Sequence, residues 1–451
     1  MKSFISLLLL VVSILPMHAG IMRTDSIMPE DSVVTDTIAD NTDLQLSLPD
    51  RLRQLLDNDI FERTQVGIYV YDLTADTLVF THNERQCMRP ASNEKLVTAI
   101  VALNDLGVTY NYQTRLYADR LPSDTDSVFV GRVYVRGGYD PLIDADDLRA
   151  FAQSLKAHGI TRITSPIGLD LSMKDDKRMG WGWCWDDDCV PLTPLLYRNH
   201  DSFADNLRRI FREEGIDWDG TTEERTVPSD ATLVCTRTRN IDQVLLPMLK
   251  ESNNSAAESL FYQLAAQGGK PHAGRKQAVA HYNALFRHIG LEPSHYQIAD
   301  GSGLSLYNYL TPEAIGRLLR YAYNDDDIYR HLHPALPIAG EDGTLRKRMR
   351  HSAAEGNVHA KTGTEHAFGL SDYCHGQCAL FQHHEPGRAL QQHGTQFSRQ
   401  SVPGTVQVVA SFAGQQYNRK RPLSWQLTHL CVWQRLNGLL LCGMLWVIVV
   451  W

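Results

Sequence analysis

The sequence predicts an α+β fold: an antiparallel sheet flanked by helices, with a second domain inserted into it. Three observations carry this. Two alternating apolar runs around "LTAD" (65–84) read as a β-hairpin between two helical stretches. From about 116 to 235 the texture changes, with strand-like runs, turns and amphipathic helices in alternation. After 240 the chain turns helical through about 325, and a short run with β character then leads into "HAKTGT".

Taken in order, "LPDRLRQLLDNDIF" (48–61) has the period of a short amphipathic helix. The hairpin follows. "PASNEKLVTAIVALNDLG" (90–107) is a second helix, stopped by Gly107. "VFVGRVYVRGGYDPLI" is strand then turn, and "DADDLRAFAQSLKAHGI" is an amphipathic helix with Asp144 as its cap. "TRITSPIGLDLSM" is strand-like, "GWGWCWDDD" is an aromatic, glycine-rich loop, and "DSFADNLRRIFREEGI" (201–216) is another amphipathic helix. A capping box is expected at Ser255 with Glu258.

The 451 residues suffice for two or three domains, and 43% apolar with 21% charged residues is ordinary globular composition. A net charge of −8, from 44 basic against 52 acidic residues, excludes the basic footprint of a nucleic-acid binder. "MKSFISLLLLVVSILPMHAG" has the charged start, apolar core and small-residue end of a secretory signal cleaved near Ala19. Residues 1–19 are thus expected to be a signal peptide and 20–47 a flexible acidic leader. The protein is expected to be periplasmic or otherwise exported. In such a compartment Cys184 and Cys189 are close enough in sequence to pair. Asp186–Asp188 beside them do not suit a thiolate zinc site, so no metal is expected.

Three short stretches carry chemistry. Ser92 and Lys95 stand one helical turn apart and project from one face. A lysine kept partly neutral by desolvation is a general base, and the serine beside it an activated nucleophile. Ser252 and Asn254, in "MLKESNNSAAESLF", precede a helix and project a hydroxyl and an amide. Lys361, Thr362, Gly363 and Thr364 end a short strand whose edge suits an extended peptide. Alone, each triplet also reads as a surface helix start, a cap cluster or an exposed turn. Together and in this order, S-x-x-K, S-x-N and K-T-G are the signature set of penicilloyl serine transferases.

With "RPASNEKLVTA", "VYVRGGYDPLI", "MLKESNNSAAESLF", "IADGSGLSLYNYLTP", "AGEDGTLRKRM" and "HAKTGT", the chain resembles the low-molecular-mass class C penicillin-binding proteins from about 48 to 371. These are D-alanyl-D-alanine carboxypeptidase/endopeptidases with a β-lactamase/transpeptidase-like fold. The resemblance implies transpeptidase-like parts at 48–115 and 236–371 around an inserted domain at 116–235. It implies that Ser92 attacks the carbonyl between two D-alanines and that Lys95 takes its proton. Ser252 with Lys361 would protonate the leaving amine. Asn254 would hold the substrate amide and orient Lys95, and Lys361 and Thr362 would face the terminal carboxylate. Gly363 allows close approach, and the N–H groups of Ser92 and Thr364 would form the oxyanion hole. No metal or organic cofactor is implied. The partners implied are peptidoglycan stem peptides and, as covalent inhibitors, β-lactams. A β-lactamase of the same superfamily is the rival reading, with no glutamate motif of the class A kind to support it.

Beyond Ser371 the sequence departs from the family pattern. "LSDYCHGQCALFQHHEPGRALQQHGTQFSRQ" has clustered His and Gln and no alternation. "FQHHEPGR" read one nucleotide later is compatible with F-S-I-M-N-Q-G-V, an alternating strand. Residues 372–451 are therefore expected to be an out-of-frame tail that deprives the Lys361 strand of inner neighbours, which makes a defective, non-catalytic product the second alternative to the peptidase. "NGLLLCGMLWVIVVW" (437–451) is shorter than the ~20 apolar residues of a spanning helix and is expected as an exposed apolar tail, leaving membrane contact open.

Overall fold

The computed structural model describes residues 46–62, 65–122, 131–184, 187, 189–352 and 354–365, and strands at 405–412 and 444–450. The expected signal peptide, most of the leader and most of the departing tail lie outside the described residues.

Elements run in the order α1 (Leu48–Leu56), α2 (Asp59–Glu62), β1 (Val66–Asp72), β2 (Thr77–His82), α3 (Glu94–Asp105), β3 (Asn111–Ala118), β4 (Val133–Arg136), α4 (Ala145–Ala157), β5 (Arg162–Ile163), β6 (Ile167–Asp170) and α5 (Phe203–Glu213). Then come β7 (Asp217–Trp218), β8 (Thr222–Glu224), β9 (Thr232–Asn240), α6 (Ile241–Lys250), α7 (Asn254–Ala265), α8 (Arg275–His288), α9 (Pro312–Tyr323), α10 (Asp326–Ala335), β10 (Val358–Glu365), β11 (Thr405–Phe412) and β12 (Met444–Val450).

The main sheet has the order β10-β11-β12-β1-β2. Strand β1 explains the layering. Val66, Ile68 and Val70 face one side and join Leu52 of α1 with Leu345, Val358 and Ala360. Tyr69 and Tyr71 face the other side and join the helical layer of α3, α6, α7 and α9. Gly316 in α9 lets that helix lie on Tyr69, since a Cβ there would come within 2.3 Å of the ring. Helix α3 is apolar nearly all round, and its residues from Glu94 to Leu103 are buried among the other helices.

The β1–β2 hairpin pairs antiparallel, as expected, and β10 pairs antiparallel with β11, while β12 adds parallel pairs on both its sides. Its run "MLWVIVV" is continuously apolar, as suits a strand enclosed between neighbours. Two expectations about the tail are corrected here. Strand β11 pairs with β10, Lys361 opposite Val409, so the Lys361 strand has an inner neighbour; the β-branched run "TVQVVASF" supplies it. Residues 444–450 are a paired strand rather than a loose apolar tail.

The second sheet, β8-β6-β4-β3-β9, is built from 111–240 and carries its own core of Leu148, Phe151, Leu207, Phe211 and Trp218. Asp144 caps α4 in a reciprocal capping box with Asp147. The helical stretch after 240 extends beyond its expected end through α10. Among the described residues no helix is long and apolar enough to cross a membrane.

Candidate active site

Ser92 lies in a single 3-10 turn, Ala91–Asn93, immediately before α3. Ala91 has φ +46°, in the left-handed region that a Cβ disfavours. Gly303, at φ +80°, seats this turn: a Cβ there would lie 1.8 Å from the Ala91 carbonyl oxygen. Strand β10 packs along the other side of the turn.

Lys95 is fully buried one turn on. Its Nζ donates to Asn254 Oδ1 at 2.7 Å and to the Ser302 carbonyl at 2.7 Å, and lies 3.0 Å from Ser92 Oγ. Burial pushes its pKa down to about 8, against the opposing pull of Asp300, Glu258 and Glu94. This geometry suits a base. When Lys95 is neutral it has two N–H groups, and two carbonyl oxygens wait for them. The lone pair is then directed at the Ser92 hydroxyl.

Lys361, also fully buried, donates to Ser252 Oγ at 2.9 Å and to the Thr362 carbonyl at 2.6 Å. Burial, then the charge of Lys95, holds its pKa well below that of an ordinary lysine. Ser252 has φ +58°, a strained conformation that persists because α7 and Lys361 fix it. Thr362 Oγ1 donates to Thr344 Oγ1 at 2.9 Å. Gly363 is buried in β10, and Thr364 sits opposite Val406. The structure thus places Ser92, Lys95 and Asn254 in one hydrogen-bonded set and Ser252, Lys361 and Thr362 in a second.

The expected cap at Ser255 is corrected. The cap of helix α7 lies two residues earlier, at Asn253, whose side chain accepts the Ala256 N–H. Glu258 is thereby freed for another role. It is buried, and its Oε1 accepts the N–H groups of Gly301 (3.1 Å) and Ser302 (2.9 Å), the peptide whose carbonyl meets Lys95. Burial, reinforced by Asp300, raises its pKa to about 8.

Sequence reasoning also missed Asp300, which accepts from Trp183 Nε1 (2.7 Å), Asn308 Nδ2 (2.7 Å), Gly303 N (2.8 Å) and Ser305 N (2.7 Å). It missed Glu94, whose buried carboxyl oxygens make no hydrogen bond among the described residues. Burial, then Asp300 and Glu258, hold Glu94 well above the usual carboxylate range. The available signal was a charged residue on the apolar face of each helix and the polar block "DGSGLS".

Among the described residues no group of His, Cys, Asp and Glu is placed to hold a metal ion. A serine hydroxyl against a buried lysine, with a second lysine–serine pair beside a sheet edge, is the arrangement that serine acyl transfer of the penicillin-binding kind requires. The chain belongs to the D-Ala-D-Ala carboxypeptidase 3 (S13) family, whose model matches residues 48–195 and 190–377. It is 24% identical over 427 residues to the D-alanyl-D-alanine carboxypeptidase of Actinomadura sp. (strain R39), covering 72% of this chain and 78% of that protein. It is 23% identical to the D-alanyl-D-alanine carboxypeptidase DacB of Haemophilus influenzae, over 67% of this chain and 80% of the relative. The crystal structure of penicillin-binding protein 4 (dacB) from Haemophilus influenzae shares the fold, with a TM-score of 0.62 at 22% identity over 68% of this chain and 87% of that one.

Proposed function

We propose that this serine D-Ala-D-Ala carboxypeptidase/endopeptidase acts on peptidoglycan stem peptides through an acyl-enzyme on Ser92. The observation that carries the reading is the coordination of Lys95: two carbonyl acceptors at 2.7 Å and the Ser92 hydroxyl at 3.0 Å.

Neutral Lys95 takes the Ser92 proton as Oγ bonds to the carbonyl carbon between the two D-alanines. The oxyanion is received by the N–H groups of Ser92 and Thr364. The C–N bond then breaks. Ser252, supplied by Lys361, delivers a proton to the departing amine, and the terminal carboxylate lies against Lys361 and Thr362. The Ser92 proton held on Lys95 replaces the one that Lys361 gave up, so Lys95 is neutral again. It takes a proton from water as the water oxygen attacks the ester, and returns it to Ser92 Oγ as the acyl group leaves. A β-lactam follows the first steps, but its amine stays tethered after ring opening, and the adduct persists. A persistent penicilloyl adduct separates this reading from a β-lactamase, which would clear it quickly.

The N-terminal segment supports export after signal-peptide removal, and so a periplasmic or otherwise exported site of action. For the tail we propose a reading-frame change near Ser371. Its support is the codon compatibility of 381–388 and the end of the family match at residue 377. Strands β11 and β12 nevertheless complete the sheet beside Lys361.

The test is D-alanine release from a synthetic stem pentapeptide by the chain without its first 19 residues. Release that disappears in Lys95→Met is the expected result. Soluble, folded protein that releases none contradicts the reading.

A further inference from the structure

The exposed aromatic rings among the described residues are Trp181, Tyr307 and Tyr309. They belong to two loops, 179–183 and 305–309, which are built onto one another. Ser305 Oγ donates to the Trp181 carbonyl at 2.7 Å, and Leu306 N donates to the Gly182 carbonyl at 3.4 Å. The Trp181 and Tyr307 rings stand 5.0 Å apart with planes at 57°. Gly182, at φ +81°, permits this approach, because a Cβ there would lie 2.5 Å from the Tyr307 ring. The Arg275 guanidinium sits 4.4 Å from the Trp181 ring centre and is anchored to the Ile298 carbonyl at 3.0 Å. Trp181 is 47% exposed and Tyr307 41%, so two large rings are held rigidly in water. Fixed exposed apolar surface of this kind marks a binding site.

The platform is continuous with the active site. Trp183, two residues from Trp181, donates to Asp300. Asp300 also anchors Gly303 and Ser305 between the Ser302 carbonyl on Lys95 and Tyr307. A cavity of about 490 Å³, within the size range of ligand pockets, opens beside Trp181. Lys177, Arg275 and Gln277 line it and offer hydrogen-bonding groups around the ring.

On the proposed function above, we infer that this platform binds the glycan strand from which the stem peptide branches. Pyranose rings present flat C–H faces to aromatic rings, while their hydroxyl and acetamide groups need a polar rim. The patch has both. Met179 is the one large aliphatic side chain exposed in either loop among the described residues, and Leu78, Leu121, Leu233 and Leu246 belong to neither, so the rings lack the broad aliphatic surround of a protein interface.

The test compares wild type with Trp181→Ala/Tyr307→Ala, and with the single changes Trp181→Leu and Tyr307→Leu, which keep an apolar side chain. The substrates are a glycan-linked muropeptide and the free stem pentapeptide. Loss of both rings should lower kcat/KM for the glycan-linked substrate about tenfold. Turnover of the free peptide and penicillin acylation of Ser92 should stay unchanged, which also certifies the fold. Separately, a tetramer of β-1,4-linked N-acetylglucosamine should quench intrinsic fluorescence in wild type but not in Trp181→Leu. Equal effects on both substrates, no effect on either, or a concentration-dependent dimer lost in the variants would overturn the inference. Trp181-dependent tetramer binding by a protein that releases no D-alanine would refute the proposed reaction and leave the platform standing.

Discussion

The pH dependence of acylation follows from the burial of Lys95. Its ordinary value is 10.5, and burial brings it to about 8. At pH 7 about a tenth of the molecules then carry a neutral amine, about 300-fold more than for an ordinary exposed lysine. The sign is fixed: a lysine whose pKa is lowered is charged below that value and neutral above it. Acylation of Ser92 by a β-lactam should therefore rise about ninefold from pH 6 to 7 and about fivefold from 7 to 8, then at most twofold beyond. The assay is the second-order rate constant for penicillin acylation, read by stopped-flow quench from pH 5.5 to 9.5. A rate flat between pH 6 and 8, or one that keeps climbing to pH 10, would refute the assignment of Lys95 as a desolvated base.

Three further outcomes test the supporting structure. Ser252→Gly should lower turnover because Lys361 loses its hydroxyl partner, while the melting temperature should not rise above the wild-type value, since relief of the strain at φ +58°, about 1 kcal/mol, is offset by the buried donor left unpaired. Gly303→Ala should cost about 3 kcal/mol or more in denaturant unfolding, since its Cβ would meet the Ala91 carbonyl and its φ is +80°. Glu258→Gln keeps a carbonyl acceptor for the Gly301 and Ser302 amides and should remain folded and penicillin-reactive. Glu258→Ala leaves both amides unpaired in the core and should lose about 2–5 kcal/mol of stability; equal melting temperatures for the two variants would contradict the bridging role.

What the sequence disclosed divides along physical lines. The hairpin at 65–84, the Asp144 cap and the Ser92–Lys95 pair rest on local periodicity or spacing, and local rules reach them. Glu258 was misplaced because a glutamate three residues after a serine satisfies the same local rule as a capping box, while only tertiary packing reveals its two amide partners. The Ser302 carbonyl on Lys95 is a backbone group, and no residue type announces it. Asp300 was visible only as one residue of a polar block; its four donors come from Trp183 and from its own loop. Strands β11 and β12 escape local reading because "TVQVVASF" stands isolated behind a long polar stretch without alternation, and because an apolar end segment reads equally as a tail.

The most direct measurement is intact mass and peptide mapping after exposure of the chain, without its first 19 residues, to penicillin. The account predicts a single, long-lived penicilloyl adduct on the peptide containing Ser92, absent from Ser92→Ala. An adduct on another residue, or a folded protein that stays unmodified at pH 8, would contradict it.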